Sequence, residues 1–161
     1  AEKLFIQLMI KLKGERYRSA FINKLSFGAY NKRFSQEKSE NAWICSDPQV
    51  VRAYDASEKC GFTFTLNGFM NVLNLMEKTY SKNYWQMKNR YVPILFIIGS
   101  DDPCAMDMEQ FKASVNFMCQ VGYENISNKI YPNVRHEILN DLSKNEVRSD
   151  MLAFIEQAIQ K

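Results

Sequence analysis

The sequence predicts an α/β fold, and three observations from residue 91 onward carry that prediction. First, "VPILFIIGSDDP" is a short continuous apolar run closed by Gly99, two acids and Pro103, as expected of a strand covered on both faces in a parallel sheet. Second, "MDMEQFKASVNFMCQVGY" sets Met108, Phe111, Val115 and Met118 on one helical face, with Gly122 placed to end the helix. Third, "NISNKIYPN" is a second short strand, followed by "SKNE" (Ser143 to Glu146), a capping box opening a helix. In that last helix Val147, Met151, Phe154, Ile155 and Ala158 share a face. Strand, helix, strand, helix is α/β grammar.

Residues 1–90 follow a different, mostly helical pattern. The opening "AEKLFIQLMIKLKG" is amphipathic, with no N-cap residue and no cleavage site of a secretory signal. It reads as a helix entered partway along. In "ICSDPQVVRAY", Ser46 or Asp47 is the N-cap and Pro48 the first helical residue. "LNGFMNVLNLMEKTY" spaces Leu66, Phe69, Met70, Leu73 and Met76 as one helix face. The expected organisation is therefore two regions, 1–90 and 91–161.

Composition narrows the functional classes. A chain of 161 residues suits one domain with a real core. Hydrophobic residues make up 46% and charged residues 24%, which argues against disorder. No apolar run reaches the ~18 residues of a membrane span. Cys45, Cys60, Cys104 and Cys119 form no C-x-x-C pair and share the chain with one histidine, so the spacing argues against a Cys/His zinc site. They read as reduced thiols of a cytoplasmic protein. The net charge is +3, and residues 1–40 carry nine Lys or Arg against four Glu. That basic face suits transient contact with anionic head groups, but no nucleic-acid-binding motif accompanies it.

His136, in "YPNVRHEILND", is the only histidine. In open α/β sheets the working groups sit in loops at the carboxyl ends of the strands. Asp101 and Asp102 lie at one such end and His136 just past the next. A carboxylate beside an imidazole fixes its tautomer and stabilises the imidazolium, so His136 is a candidate general base with Asp102 as its orienter.

"PILFIIGSDDP", a helix ending in glycine, and "KIYPNVRHEILND" together resemble the later part of an α/β-hydrolase. The likeness is to serine hydrolases of the lysophospholipase and monoacylglycerol-lipase-like branch, grouped with the serine aminopeptidase-type enzymes. In that family the acid sits in a G-x-x-D-P motif, matched by Gly99 to Pro103, and the base in a segment matched by Arg135 to Asp141. The resemblance implies Asp102 as triad acid, ahead of its neighbour Asp101, and His136 as triad base. Arg135 is expected in a structural salt bridge or capping carbonyls, and Glu137 as a structural carboxylate. "FGAYNKRF" and "WICSDPQVVRAYDASEKCGFTFT" resemble the helical cap of these enzymes. A cap presents an apolar roof to an acyl chain, which makes Phe27, Tyr30, Phe34, Trp43, Phe62 and Phe69 candidate substrate-binding residues. No metal or organic cofactor is implied.

One family element is missing. The nucleophile belongs on a G-x-S-x-G elbow. None of the six glycines (14, 28, 61, 68, 99 and 122) begins such a pentapeptide. The expectation is a cap plus the last two strands and helices of a hydrolase, with the serine and oxyanion amides in an N-terminal half outside this chain. Its partners would be that half and an ester or lipid-like substrate. A sheet of two strands leaves edges bare, so self-association is also expected. The alternatives are a peptidase or general esterase of the same fold, or a non-catalytic binding module.

Overall fold

The computed structural model describes residues 2–160. Eight regular elements carry the architecture: α1 (Glu2–Lys13), α2 (Ala20–Phe27), α3 (Pro48–Asp55), α4 (Leu66–Thr79), β1 (Ile94–Gly99), α5 (Met108–Val121), β2 (Ile126–Tyr131) and α6 (Lys144–Ile159). The chain divides into two compact units, residues 1–29 with 61–86 and residues 30–60 with 87–161.

The first unit packs α1 against α4, with α2 joining them. Ser19 caps α2 through the Ile22 amide, and Thr65 caps α4 through the Gly68 amide at 3.1 Å. The spaced apolar residues of α4 meet as expected over most of their length. Leu66 and Phe69 are buried with Ile6 and Ile22, and Met70 and Leu73 pack against them. Met76 departs from the pattern and is half exposed. Leu4, Leu8 and Leu12 of α1 are also exposed.

The second unit contains the sheet. β1 and β2 run parallel with Ile94 opposite Ile126 and Gly99 opposite Tyr131. Parallel neighbours need a crossover, and α5 lies between them in the chain. Asp107 caps the start of α5 through the Gln110 amide. Gly122, at φ 117°, ends it in the left-handed region, its N–H directed to the Met118 and Cys119 carbonyls. Among the described residues the sheet has only these two strands. Tyr131, Val134 and Val147 are buried together, with Ile97, Ile138 and Met151 packed against them, and this ties α6 to the sheet. The Tyr131 hydroxyl donates to Asp150 at 2.8 Å, and burial first, then that carboxylate, pushes its pKa up to about 12.

Two expectations for α6 need correction. Ile155 is half exposed rather than part of the packed face. The Ser143 capping box does not form: its side chain makes no cap bond, and its backbone (φ −84°, ψ 8°) is not the extended conformation an N-cap uses. The turn before it is already wound by Asp141, whose carbonyl accepts the Lys144 amide at 3.0 Å and whose carboxylate accepts the Leu142 amide at 2.7 Å. Glu146 instead pairs with Lys129 at 2.9 Å. No helix among the described residues is long and apolar enough to cross a membrane.

Candidate active site

The loops after β1 and β2 are stitched together by their backbones. The Ser100 amide donates to the Tyr131 carbonyl at 2.8 Å and the Asp101 amide to the Val134 carbonyl at 3.0 Å. The Ser100 hydroxyl accepts the Asn133 amide at 2.8 Å. Gly99 permits this approach: a Cβ there would lie 2.0 Å from the Val134 carbonyl oxygen. Two segments 34 residues apart are thereby held side by side.

Asp102 and His136 meet across this junction, with Asp102 Oδ2 3.0 Å from His136 Nδ1. The other carboxylate oxygen accepts the Cys104 amide at 2.8 Å, which caps the short turn Pro103–Ala105 and fixes the Asp102 side chain. Asp102 is 8% exposed in its side chain and His136 43%, so the acid is enclosed and the ring reachable. A carboxylate only accepts, so Nδ1 carries the proton of this bond. The Asp102 hydrogen bond first, then one to Cys104, raises the imidazole pKa to about 10, against the opposing effect of burial. Asp101 turns elsewhere and pairs with Arg33 at 3.1 Å.

The His136 segment is anchored on both sides. The Arg135 guanidinium lies 3.9 Å over the Phe34 ring, pairs with Glu37, and donates to the Ala42 carbonyl at 2.6 Å and the Cys45 carbonyl at 3.1 Å. Both expected roles of Arg135 are therefore present. The Glu137 amide donates to the Ile44 carbonyl at 2.8 Å, and its carboxylate accepts from Asn140 at 2.8 Å. Asp141 is fully buried. Its carboxylate accepts the Ser46 hydroxyl, the Ser46 amide at 2.9 Å, the Leu142 amide and the Arg135 amide at 3.2 Å. Burial alone would raise the Asp141 pKa, but these hydrogen bonds outweigh it and hold it below the usual range. Sequence reasoning placed Asp141 in the motif and assigned it no role.

The candidate lining residues fall in different places. Trp43 stands beside the catalytic candidate, its ring centroid 5.1 Å from that of His136, and Tyr30 packs edge-on against Trp43 at 5.0 Å. Phe34 is buried beneath Arg135 in the same unit. Phe27, Phe62 and Phe69 belong to the other unit. There Phe69 is a core residue against Phe27 and Phe64, while Phe62 is half exposed at the edge of Phe64. A polar cleft lined by Glu15, Arg16, Arg18, Thr65 and Asn67 includes none of the candidate residues.

This geometry can hold an imidazole in one tautomer and stabilise its charged form, as an acid–base pair of a hydrolase requires. Comparison with known proteins bears on the fold and the family. The chain resembles the crystal structure of a highly thermostable carboxyl esterase from Bacillus coagulans in complex with glycerol. The TM-score is 0.85 at 26% identity, over 98% of this chain and 51% of that one. A lipase in an open form matches with a TM-score of 0.84 at 16% identity, again over 98% of this chain and 51% of that one; this second likeness is one of fold. The chain thus spans about half the length of these solved structures. No curated protein matches it significantly in sequence. The family model described as "Serine aminopeptidase, S33" matches residues 3–143. That match covers most of the chain, and with the α/β architecture it establishes that this chain belongs to the S33 serine aminopeptidase-type family of α/β-hydrolases.

Proposed function

We propose that this chain supplies the acid and base of a Ser-His-Asp triad in a carboxylic-ester hydrolase. The observation that carries the reading is the 3.0 Å contact between a buried Asp102 and a reachable His136, at the carboxyl ends of adjacent parallel strands. The serine and the oxyanion amides lie outside this chain, in the N-terminal half of the same hydrolase. In the complete enzyme the serine oxygen attacks the ester carbonyl while the neutral form of His136, which the raised pKa confines to the alkaline side, takes the hydroxyl proton at Nε2. Asp102 stabilises the resulting imidazolium through Nδ1. The ring then returns the proton to the leaving alcohol, and water repeats the sequence to free the acid. Triad members act as a unit, so this chain without the serine has no triad activity.

The substrates are lysophospholipid or monoacylglycerol-like esters. Residues 1–90 are the cap region of the hydrolase, and 91–161 the end of its core. Trp43 and Tyr30 are the lining residues with the most direct support, because their rings continue from His136. The four cysteines are free, which suits a reducing cytoplasmic location. The test is hydrolysis of a series of esters of rising acyl length by the complete protein. Rising kcat/KM with chain length is the expected result, and flat or falling values overturn the lipid assignment.

A peptidase is the second reading, favoured by the description of the matching family. Release of an N-terminal residue from unblocked peptides, faster than hydrolysis of any ester in that series, would select it. Absence of both activities would select a binding module that retains the pair.

A further inference from the structure

The turn that carries Asp102 also places Cys104 against the same imidazole. An oxygen of Asp102, the sulfur of Cys104 and a ring nitrogen of His136 all lie within 4.8 Å of one another. Spacing in the sequence argued against a zinc site because it counted only Cys and His. The fold adds a carboxylate from the same turn as the thiol and brings the ring from the loop after β2.

We propose that Asp102, Cys104 and His136 form a binding site for one borderline-soft divalent cation of the Zn²⁺ type. The donor set is one oxygen, one nitrogen and one sulfur, which suits Zn²⁺ and disfavours Mg²⁺ or Ca²⁺, ions that take oxygen ligands. A tetrahedral Zn²⁺ with bonds of about 2.0–2.3 Å separates its ligand atoms by about 3.3–3.7 Å. The 4.8 Å limit therefore leaves about 1 Å to close. The exposed Cys104 side chain closes that gap, and the Asp102–His136 contact opens from 3.0 Å to about 3.3 Å as its hydrogen bond gives way to the ion. Three protein ligands leave the fourth position to water.

Binding moves protons in a defined way. The thiol releases its proton to solvent and binds as thiolate. A ring charged at the start releases one proton; a neutral ring shifts its proton to the nitrogen away from the ion. The occupied ring can then no longer work as a base. That consequence rests on the triad role proposed for His136, whereas binding itself rests on the donor geometry alone.

The test is titration of the complete protein with Co²⁺, a spectroscopic stand-in for Zn²⁺, followed by thiolate-to-cobalt charge-transfer absorption. The expected result is a band that saturates at about one equivalent and disappears on addition of Zn²⁺. Cys104→Ala should abolish the band, and Cys119→Ala should retain it. His136→Ala should weaken cobalt binding by more than about 10-fold, with the fold checked by circular dichroism. A band that survives Cys104→Ala, or no saturable band in the wild type, would overturn the site. The spectrum reads binding without reference to hydrolysis, so its failure is separable from failure of the triad.

Discussion

The Asp141 carboxylate binds both the hydroxyl and the backbone amide of Ser46, a residue 95 positions earlier in the chain. Through the Arg135 amide the same carboxylate reaches the residue beside His136. One buried acid thus fastens the segment before α3 to the segment that presents the imidazole. Asp141→Ala would leave the Ser46 hydroxyl and three backbone amides without their acceptor. Equilibrium unfolding should show a loss of about 3–5 kcal/mol. A loss below about 0.5 kcal/mol would show that the fastening is dispensable.

Arg135 holds the same segment from the other side, and its geometry needs a guanidinium. It stacks on Phe34 while reaching Glu37 and two carbonyls. Lysine keeps the charge but lacks the planar fork. Arg135→Lys should therefore destabilise the protein by about 1–3 kcal/mol. In the complete enzyme, kcat should fall more than KM rises, because the base is displaced rather than the substrate. Wild-type stability in the lysine variant would contradict this account.

Gly99 is required for close approach. Its absent Cβ would sit 2.0 Å from a backbone oxygen of the loop after β2, where no side chain can move aside. Gly99→Ala should cost about 1–3 kcal/mol or more and lengthen the Asp102–His136 contact. Thermal unfolding of the variant checks the cost. An unchanged melting temperature would mean that the loops part easily.

The imidazole should titrate far above its ordinary value of 6.5, near 10, because Asp102 favours the charged ring. A pKa raised on folding contributes stability that is fully present below the unfolded value and is lost as pH rises through the folded one. Stability from this pair should therefore be complete below about pH 6.5 and decline through pH 10. Since the chain has one histidine, its ring protons give a single NMR titration curve. Asp102→Asn should move that curve back toward the ordinary range. A wild-type midpoint near 6.5 would show that the pair is not coupled.

The Asp102–His136 pairing was legible in the sequence because an apolar run ended by polar residues and a second short strand set both strand ends, and parallel pairing places such ends side by side. Asp47 and Gly122 were legible as caps because their chemistry is local. The work of Asp141 was not, since its Ser46 partner is 95 residues away. Ser143 misled for the reverse reason: the local box is present, but the turn wound by Asp141 takes the conformation the cap would need. Phe69 shows the limit of aromatic spacing. A ring at helical spacing reads alike whether it faces a ligand or a core, and here it lies in a core.

The most direct test of the central claim is kcat/KM for ester hydrolysis by the complete enzyme as His136→Ala, Asp102→Ala and the double variant. The account predicts losses of about 10⁴-fold or more for His136→Ala, with the double variant no worse than that single change. Circular dichroism should show each variant folded. Hydrolysis within about 10-fold of wild type in folded His136→Ala would fall outside general-base loss and contradict the assignment of this pair as the triad's acid and base.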